Sequence, residues 1–243
     1  MIQGIKLGRD GLYELASRND LIIKPKKRRG SRTTDSSQWR RQFADLAQDF
    51  TPQWPEQLFV SDITYLRIVG GFVYLSLITD AFSRRIMGWH VHGDLSTTGC
   101  LEALAKAMQR RQYIDHSAIH HSDRGCQYCS ADYVSALRNN DIAISMTQSG
   151  SPYDNALAES VNGQLKVEYN LDATFVDLNE ARRAVERAIQ QYNNHRPHGS
   201  IEMRCPEEYH ASFLNVPVDD NLEPDEKADH QPQAGKVLTT INQ

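Results

Sequence analysis

The amino-acid sequence predicts an α/β fold: a five-stranded mixed sheet, three antiparallel strands and then crossover strands, with helices on both faces. Three observations lead there. The runs LFVSDITYL (58–66), FVYLSLITD (72–80) and RRIMGWHVHG (84–93) are rich in β-formers and are separated only by the turn signals Val69-Gly70-Gly71 and Asp80-Ala81-Phe82-Ser83, which makes an antiparallel meander. Two further β-rich runs, AIHHSD (118–123) and IAISMT (142–147), each follow a helical pattern, over 96–111 and 130–140. A helix between strands is a crossover, and crossovers join parallel strands, so the sheet is mixed. Two more helices complete the order β-β-β-α-β-α-β-α-α, in which we see no internal repeat.

The helix over 96–111 is expected to turn Leu101, Leu104, Ala105 and Met108 inward. That over 178–194 carries Leu178, Ala181, Val185, Ala188, Ile189 and Tyr192 on one stripe and Arg182, Arg183 and Arg187 outside. Upstream, residues 8–23 read as one short helix ending near Asn19, with Leu12, Leu15 and Ala16 on one side. A single helix cannot bury its own face, so this one is either the end of something upstream or an arm on the main domain. A second weak helix, 38–49, precedes an extended segment containing Pro52 and Pro55.

At 243 residues and a formal net charge of -4, the chain has the composition of a soluble globular protein with room for one sizeable core. No apolar run reaches membrane-spanning length and the N-terminus lacks a signal-peptide pattern, which makes the cytoplasm the default location. Cys100, Cys126, Cys129 and Cys205 fit a reducing compartment. Cys126 and Cys129 form a C-x-x-C just after His120 and His121, but the second Cys or His pair of a zinc site is missing. Charge is unevenly spread. Residues 24–41 carry eight basic residues and one acid, the footprint of a polyanion partner or else of a solubilising linker; the Pro-containing tail from about Val216 is acidic and reads as disordered.

Three carboxylates stand out. Asp62 lies in the middle of a β-run, where burial is costly unless something binds it. Asp123 follows the apolar end of the fourth strand, and strand ends in such sheets are where sites are built. Glu159 sits in QSGSPYDNALAESVNGQLKVEY (148–169), where Ser151, Pro152 and Asp154 predict a helix beginning near Pro152. At 100° per residue Leu157, Val161 and Leu165 form its apolar stripe; Asn155, Glu159, Asn162, Lys166 and Gly163, the last read as a close-approach glycine, gather opposite, on a face that would by itself be ordinary solvated surface. The three carboxylates converge only if strands one and four are neighbours. Together they would repel unless divalent cations neutralised them, and oxygen-only ligands favour Mg²⁺ or Mn²⁺ over zinc.

The order Asp62, Asp123, Glu159, with 35 residues between the last two, resembles the D-D-E triad of the retroviral integrase superfamily. LFVSDITYL, DAFSRRIMGWH, HSDRGCQY, SGSPYDNALAESVNGQLKVE and YNNHRPHGSI resemble, in order and spacing, the second-frame (OrfB-type) portion of bacterial insertion-sequence transposases, over about 8–209. The resemblance implies an RNase H-like catalytic core and a DNA transposase that cleaves phosphodiesters and transfers strands. It makes Asp62, Asp123 and Glu159 catalytic residues and ligands of two Mg²⁺ (or Mn²⁺) ions, with Asp62 shared by both. On this reading Lys166, Asn155 and Asn162 meet DNA near the scissile phosphate, while Lys26, Lys27, Arg28 and Arg29 contact its backbone.

The expected partners are transposon ends and target DNA, further copies of the chain, and the first-frame transposase product. The domain reading is a remnant of a helix-turn-helix module (1–23), a basic linker and arm (24–57), the core (58–210) and the tail (211–243). Family members carry a helix-turn-helix upstream, so the chain is expected to be a second-frame product or a truncated copy. Two other functions stay open: a nuclease with the same metal site, and a catalytically silent DNA-binding regulator. His120 and His121 are expected to be strand residues beside the site, with a proton relay at His121 as the alternative. The role of Tyr192, Asn193, Arg196, Pro197 and His198 is left between function and capping of the long helix.

Overall fold

The strand that organises the sheet is β1 (Leu58–Ile68), whose first four residues are buried on both faces. The computed structural model describes residues 8–22, 43–114, 116–148 and 155–214. β1 pairs antiparallel with β2 (Gly71–Asp80) from Phe59↔Asp80 to Ile68↔Gly71, across a hairpin whose Gly70 adopts φ +86°, a left-handed value that favours glycine. β2 pairs antiparallel with β3 (Ile86–His92) through an irregularity at Ile78/Thr79. On its other side β1 runs parallel to β4 (Ala118–Ser122), which runs parallel to β5 (Ile142–Met146). The spatial order β3-β2-β1-β4-β5 is therefore mixed, as expected, and strands one and four are neighbours. A two-residue strand that the sequence pattern does not announce, β6 (Thr174–Phe175), joins the far end of β1 at Arg67 and Ile68.

Because β4 reaches only Ser61 and β6 begins only at Arg67, β1 has no strand beside it on that side from Asp62 to Leu66 among the described residues. Asp62, the first of the three candidate carboxylates, lies at the start of this gap.

Helices cover both faces. α1 (Arg9–Arg18) stands apart, with no buried residue; Leu12 and Leu15 are exposed, so its apolar side is not packed against the described core. α2 (Thr97–Arg110) and α3 (Ala131–Arg138) pack Cys100, Ala103, Leu104, Tyr133 and Leu137 against Phe59, Met87 and Ile144. α4 (Ala156–Glu168) and α5 (Leu178–His195) bring Val161, Leu165, Val185, Ile189 and Tyr192 onto Leu66, Leu75, Leu77 and Val91. α5 starts on a well-formed cap: the Asp177 carboxylate accepts from the Glu180 N–H at 2.7 Å. A 3₁₀ turn (Gly199–Ile201) and α6 (Pro206–Ala211) close the described chain, and neither was anticipated.

Four further expectations need correction. α4 begins at Ala156 rather than near Pro152; residues 149–154 lie outside the described ones. Of the residues expected inward on α2, Leu104 is buried and Leu101 and Met108 pack partly buried against the core, but Ala105 is exposed; Gly99, Cys100, Ala103 and Ala107 are buried instead, small residues that let α2 cross close over β3. Gly163 is exposed with open space where a Cβ would stand, so it serves no close approach. The described part of the second weak helix, from Phe43, is irregular. It runs beside β5, with the Met146 N–H donating to Ala44 O at 3.2 Å and the Leu46 N–H to Ser145 Oγ at 2.8 Å. The unpaired groups of an edge strand outcompete a weak helical pattern there.

The α2–β3 crossing is so close that a Cβ on Gly88 would stand 2.1 Å from Ala103 O. Gly88→Ala is expected to destabilise the protein by at least roughly 2 kcal/mol through overpacking, and Gly163→Ala in α4 to stabilise it by roughly 0.5–1 kcal/mol. Urea unfolding midpoints of the two variants check both signs.

Candidate active site

Asp62 points to the α4 side of β1, the side of Val60 and Leu66, because side chains alternate along a strand. Its Oδ2 accepts from Asn162 Nδ2 at 2.8 Å. The Asp62 carboxyl is pushed up to about 7, by burial first and then by the negative charges of Asp123 and Glu159, against the hydrogen bonds from Asn162 and the Ile63 backbone. The three carboxylates therefore share one electrostatic neighbourhood.

Asp123 follows the last residue of β4, which pairs with Ser61, so the register sets it beside Asp62. Its Oδ1 accepts from the Gly125 N–H at 2.9 Å, and a Cβ on Gly125 would stand 2.9 Å from the same oxygen. Glu159 lies in the first turn of α4. Among the described residues no group of three His, Cys, Asp or Glu side chains is gathered tightly enough to hold a metal ion.

The two asparagines expected to meet DNA are placed otherwise. Asn155 and Asn162 are 8% and 6% exposed. Asn155 donates from Nδ2 to Ser61 O at 2.8 Å, and Asn162 donates to Asp62 as above, so two amides tie α4 to consecutive residues of β1. They stand seven residues apart, two helical turns, and Glu159 lies on the same face between them. Both side-chain carbonyl oxygens are buried with no hydrogen-bond partner among the described residues. The seven-residue spacing around Glu159 was visible in the sequence; the direction of the amides was not.

Lys166 reaches round the gap in β1, its ammonium 4.5 Å from the centre of the Tyr65 ring. Burial lowers its pKa and the Asp62 charge opposes that. Lys26, Lys27, Arg28 and Arg29 lie outside the described residues, as does the tail beyond Leu214; its first residues, 211–214, are described, with Phe213 packed edge-on against Trp54 and Phe82. The chain re-enters the described structure at Phe43, whose carbonyl accepts from Gln148 Nε2 at 2.9 Å just beyond β5.

His120 is buried against the Tyr133 hydroxyl at 2.9 Å, and burial takes it down to about 3, so it stays neutral. His121 Nδ1 lies 2.8 Å from Ser145 Oγ and 3.6 Å from Asp45 Oδ1, in a buried cluster that fastens the 43–48 segment to the sheet. Sequence pattern gave no sign of Ser61 and Tyr128: Ser61 Oγ bonds both the Leu77 carbonyl (3.0 Å) and the Tyr128 hydroxyl (2.8 Å) directly under Asp62. The YNNHRPH residues act as ties. Asn193 pairs with both backbone groups of Ile86, at 2.9 and 3.0 Å, and Arg196 holds Glu168 at the end of α4 through two 2.6 Å bonds. All four cysteines are free thiols.

Two family models, each described as integrase core domain, match residues 52–152 and 140–206 and so jointly take in the sheet, Asp62, Asp123 and α4. The chain belongs to the integrase core domain family. Among its curated relatives, this integrase core is 38% identical over 159 residues to the putative transposase for insertion sequence element IS986/IS6110 of Mycobacterium tuberculosis, covering 63% of this chain and 57% of that protein. It is 37% identical over 170 residues to the transposase InsF for insertion sequence IS3A of Escherichia coli K12, covering 70% and 59%. The chain thus spans less than two thirds of the length of these relatives.

Among solved structures, the HTLV-2 integrase catalytic core in complex with magnesium superposes with a TM-score of 0.53 at 16% identity, over 66% of this chain and 99% of that one. A simian T-cell lymphotropic virus intasome gives a TM-score of 0.56 at 16% identity, over 85% and 66%. These likenesses show the fold, which is that of integrase catalytic cores and RNase H-like.

The Asp62 shift has a measurable consequence. Its carboxyl ionises near 3.8 in the unfolded chain and near 7 in the folded one, so the folded state holds the proton more tightly between those values. Stability contributed by the protonated form is full below 3.8 and is lost as pH rises through 7. Asp62→Asn is therefore expected to match the parent near pH 4 and to exceed it in stability at pH 8, by up to about 4 kcal/mol less whatever water reaches the half-buried carboxyl. Urea denaturation at the two pH values measures the difference.

Proposed function

We propose that the chain is the catalytic part of a DNA transposase of an insertion sequence, a metal-dependent polynucleotidyl transferase that cleaves phosphodiesters and joins a DNA 3′-hydroxyl to target DNA. The observation that carries this reading is the Asp62 carboxyl, set in the gap of the central strand and raised to about 7 by burial and by two further carboxylates. A site that concentrates negative charge in this way suits cations, and its all-oxygen donor set suits Mg²⁺ or Mn²⁺. The orphaned amide oxygens of Asn155 and Asn162 fit the same chemistry, since hard oxygen acceptors suit the water carried by a hydrated cation.

In this proposal Asp62, Asp123 and Glu159 are the catalytic residues and hold two ions. Bound there, the ions supply Lewis-acid activation of the attacking oxygen and charge stabilisation at the leaving oxygen. Asn162 holds one oxygen of Asp62 and so fixes the orientation of that carboxylate. Asn155 and Asn162 fix the rotation of α4, and with it the side on which Glu159 projects. Lys166, partly exposed and within the field of Asp62, contacts a DNA phosphate in this reading, and the basic residues Lys26, Lys27, Arg28 and Arg29 contribute sequence-independent backbone contacts. The partners are the transposon ends and target DNA, with further copies of the chain on the DNA and the first-frame transposase product. No described helix is long and apolar enough to cross a membrane, and the proposed place of action is the bacterial cytoplasm.

The test mixes the protein with a labelled insertion-sequence end and Mg²⁺. Joined products support the transposase; nicks alone point to a nuclease, and a shift without cleavage to a regulator. Glu159→Gln is expected to abolish strand cleavage while leaving DNA affinity nearly unchanged, and cleavage at the parent rate by this variant would remove Glu159 from the site. Neutralising Lys26, Lys27, Arg28 and Arg29 is expected to weaken binding to every DNA sequence and to flatten its log–log salt dependence by about 0.9 for each phosphate that is no longer neutralised. Titration of affinity against salt reads that slope.

A further inference from the structure

The three-stranded meander is covered unequally. One face, with Leu66, Val73, Leu75, Leu77 and Val91, is buried beneath α4 and α5. The other is covered by α2 only at one end: a Cβ on Gly99, in the first turn of α2, would meet His92 and Ser76 at 3.2 and 3.6 Å. Towards the β1–β2 hairpin that second face lies open among the described residues. Tyr65 is 40% exposed and Phe72 51%.

Register places these residues together. Tyr65 stands opposite Tyr74, Arg67 opposite Phe72, and Tyr74 opposite His92, and cross-strand partners share a face. Tyr65 and Phe72 make a diagonal pair, edge to face with centroids 5.4 Å apart. Two cations frame them: Lys166 over the Tyr65 ring, and the exposed Arg67, whose charge lowers the pKa of Lys166. Lys166 also feels the charge of Asp62, so it stands between the aromatic pair and the candidate active site.

Large apolar rings left in water on a sheet have no role in the core of this domain. Rings interleaved with cations suit a ligand that is both a polyanion and a source of flat π-faces, which is single-stranded nucleic acid; base pairs in a duplex hide those faces from a sheet.

We propose that the open face carrying Tyr65, Phe72 and Tyr74 is a stacking surface for unpaired bases of the DNA strand next to the cleaved bond, with Arg67 and Lys166 on its phosphates. The role rests on the transposase reading for the identity of the DNA. The binding surface itself does not require cleavage.

The experiment is run in EDTA, so that no strand is cut, with a duplex ending in a short single-stranded overhang that carries 2-aminopurine. The parent protein is expected to quench the 2-aminopurine on binding. Tyr65→Leu together with Phe72→Leu is expected to abolish the quench and to weaken overhang DNA about tenfold, with blunt-duplex affinity unchanged within about twofold. Tyr65→Trp, which keeps a ring at the site, is expected to retain both, and thermal melts confirm that each variant is folded. No quench by the parent, equal losses on blunt and overhang DNA, or no loss on either would overturn the proposal. A protein that joins ends in Mg²⁺ but does not quench keeps the transposase reading and loses this surface; one that quenches but never cleaves does the reverse.

Discussion

The hydrogen bond from Asn162 to Asp62 ties together the parts of the molecule that matter for its chemistry. A carboxylate in the centre of a sheet is unfavourable unless something satisfies it, and here the satisfying group is an amide from a helix 100 residues later in the chain. The same bond, with its neighbour from Asn155 to the Ser61 carbonyl, sets α4 at one height and one rotation on β1. Glu159 then has a defined place, between two amides that are both anchored to the strand carrying Asp62. At its other end α4 is held by the paired bonds between Glu168 and Arg196, so the helix is fixed at both ends by polar contacts and along its length by Val161 and Leu165.

Topology makes room for this arrangement. β1 is long and its parallel neighbour β4 is short, so the central strand outruns its partner at Asp62, and Asp123 emerges beside it. The two crossover helices make β4 and β5 parallel to β1 and bring their carboxyl ends to one edge, where open α/β sheets place their sites. Tyr128, Ser61 and the Leu77 carbonyl form a buried polar support beneath. Buried polar networks of this kind rigidify when satisfied, and among the described residues the side-chain oxygens of Asn155 and Asn162 are buried beside it without a partner.

Much of this was legible in the residues. The five main strands and the helices between them follow from β-rich runs, turn signals and helical periodicity, and the anomaly of Asp62 in a β-run was visible without any structure. What escaped has a common cause. β6 is two residues long and is a strand only because Arg67 and Ile68 are free to pair with it. The 43–48 segment has a weak helical pattern that yields to the unpaired edge of β5 and to the Asp45, Ser145 and His121 cluster. Asn155 and Asn162 are polar residues on a polar stripe, yet they are buried because β1 offers them partners. Each outcome depends on a group far away in the chain, which no local pattern records.

The sequence by itself determined the element order and the mixed character of the sheet, and it singled out three candidate carboxylates, because periodicity and residue type act over a few neighbouring residues. Only the tertiary structure decided that β1 lies against β4, that α4 turns its asparagines inward and that Tyr65 and Phe72 share an uncovered face beside Lys166. Those are matters of which distant groups satisfy one another's hydrogen bonds and cover one another's surfaces, and they are settled when the sheet and helices pack.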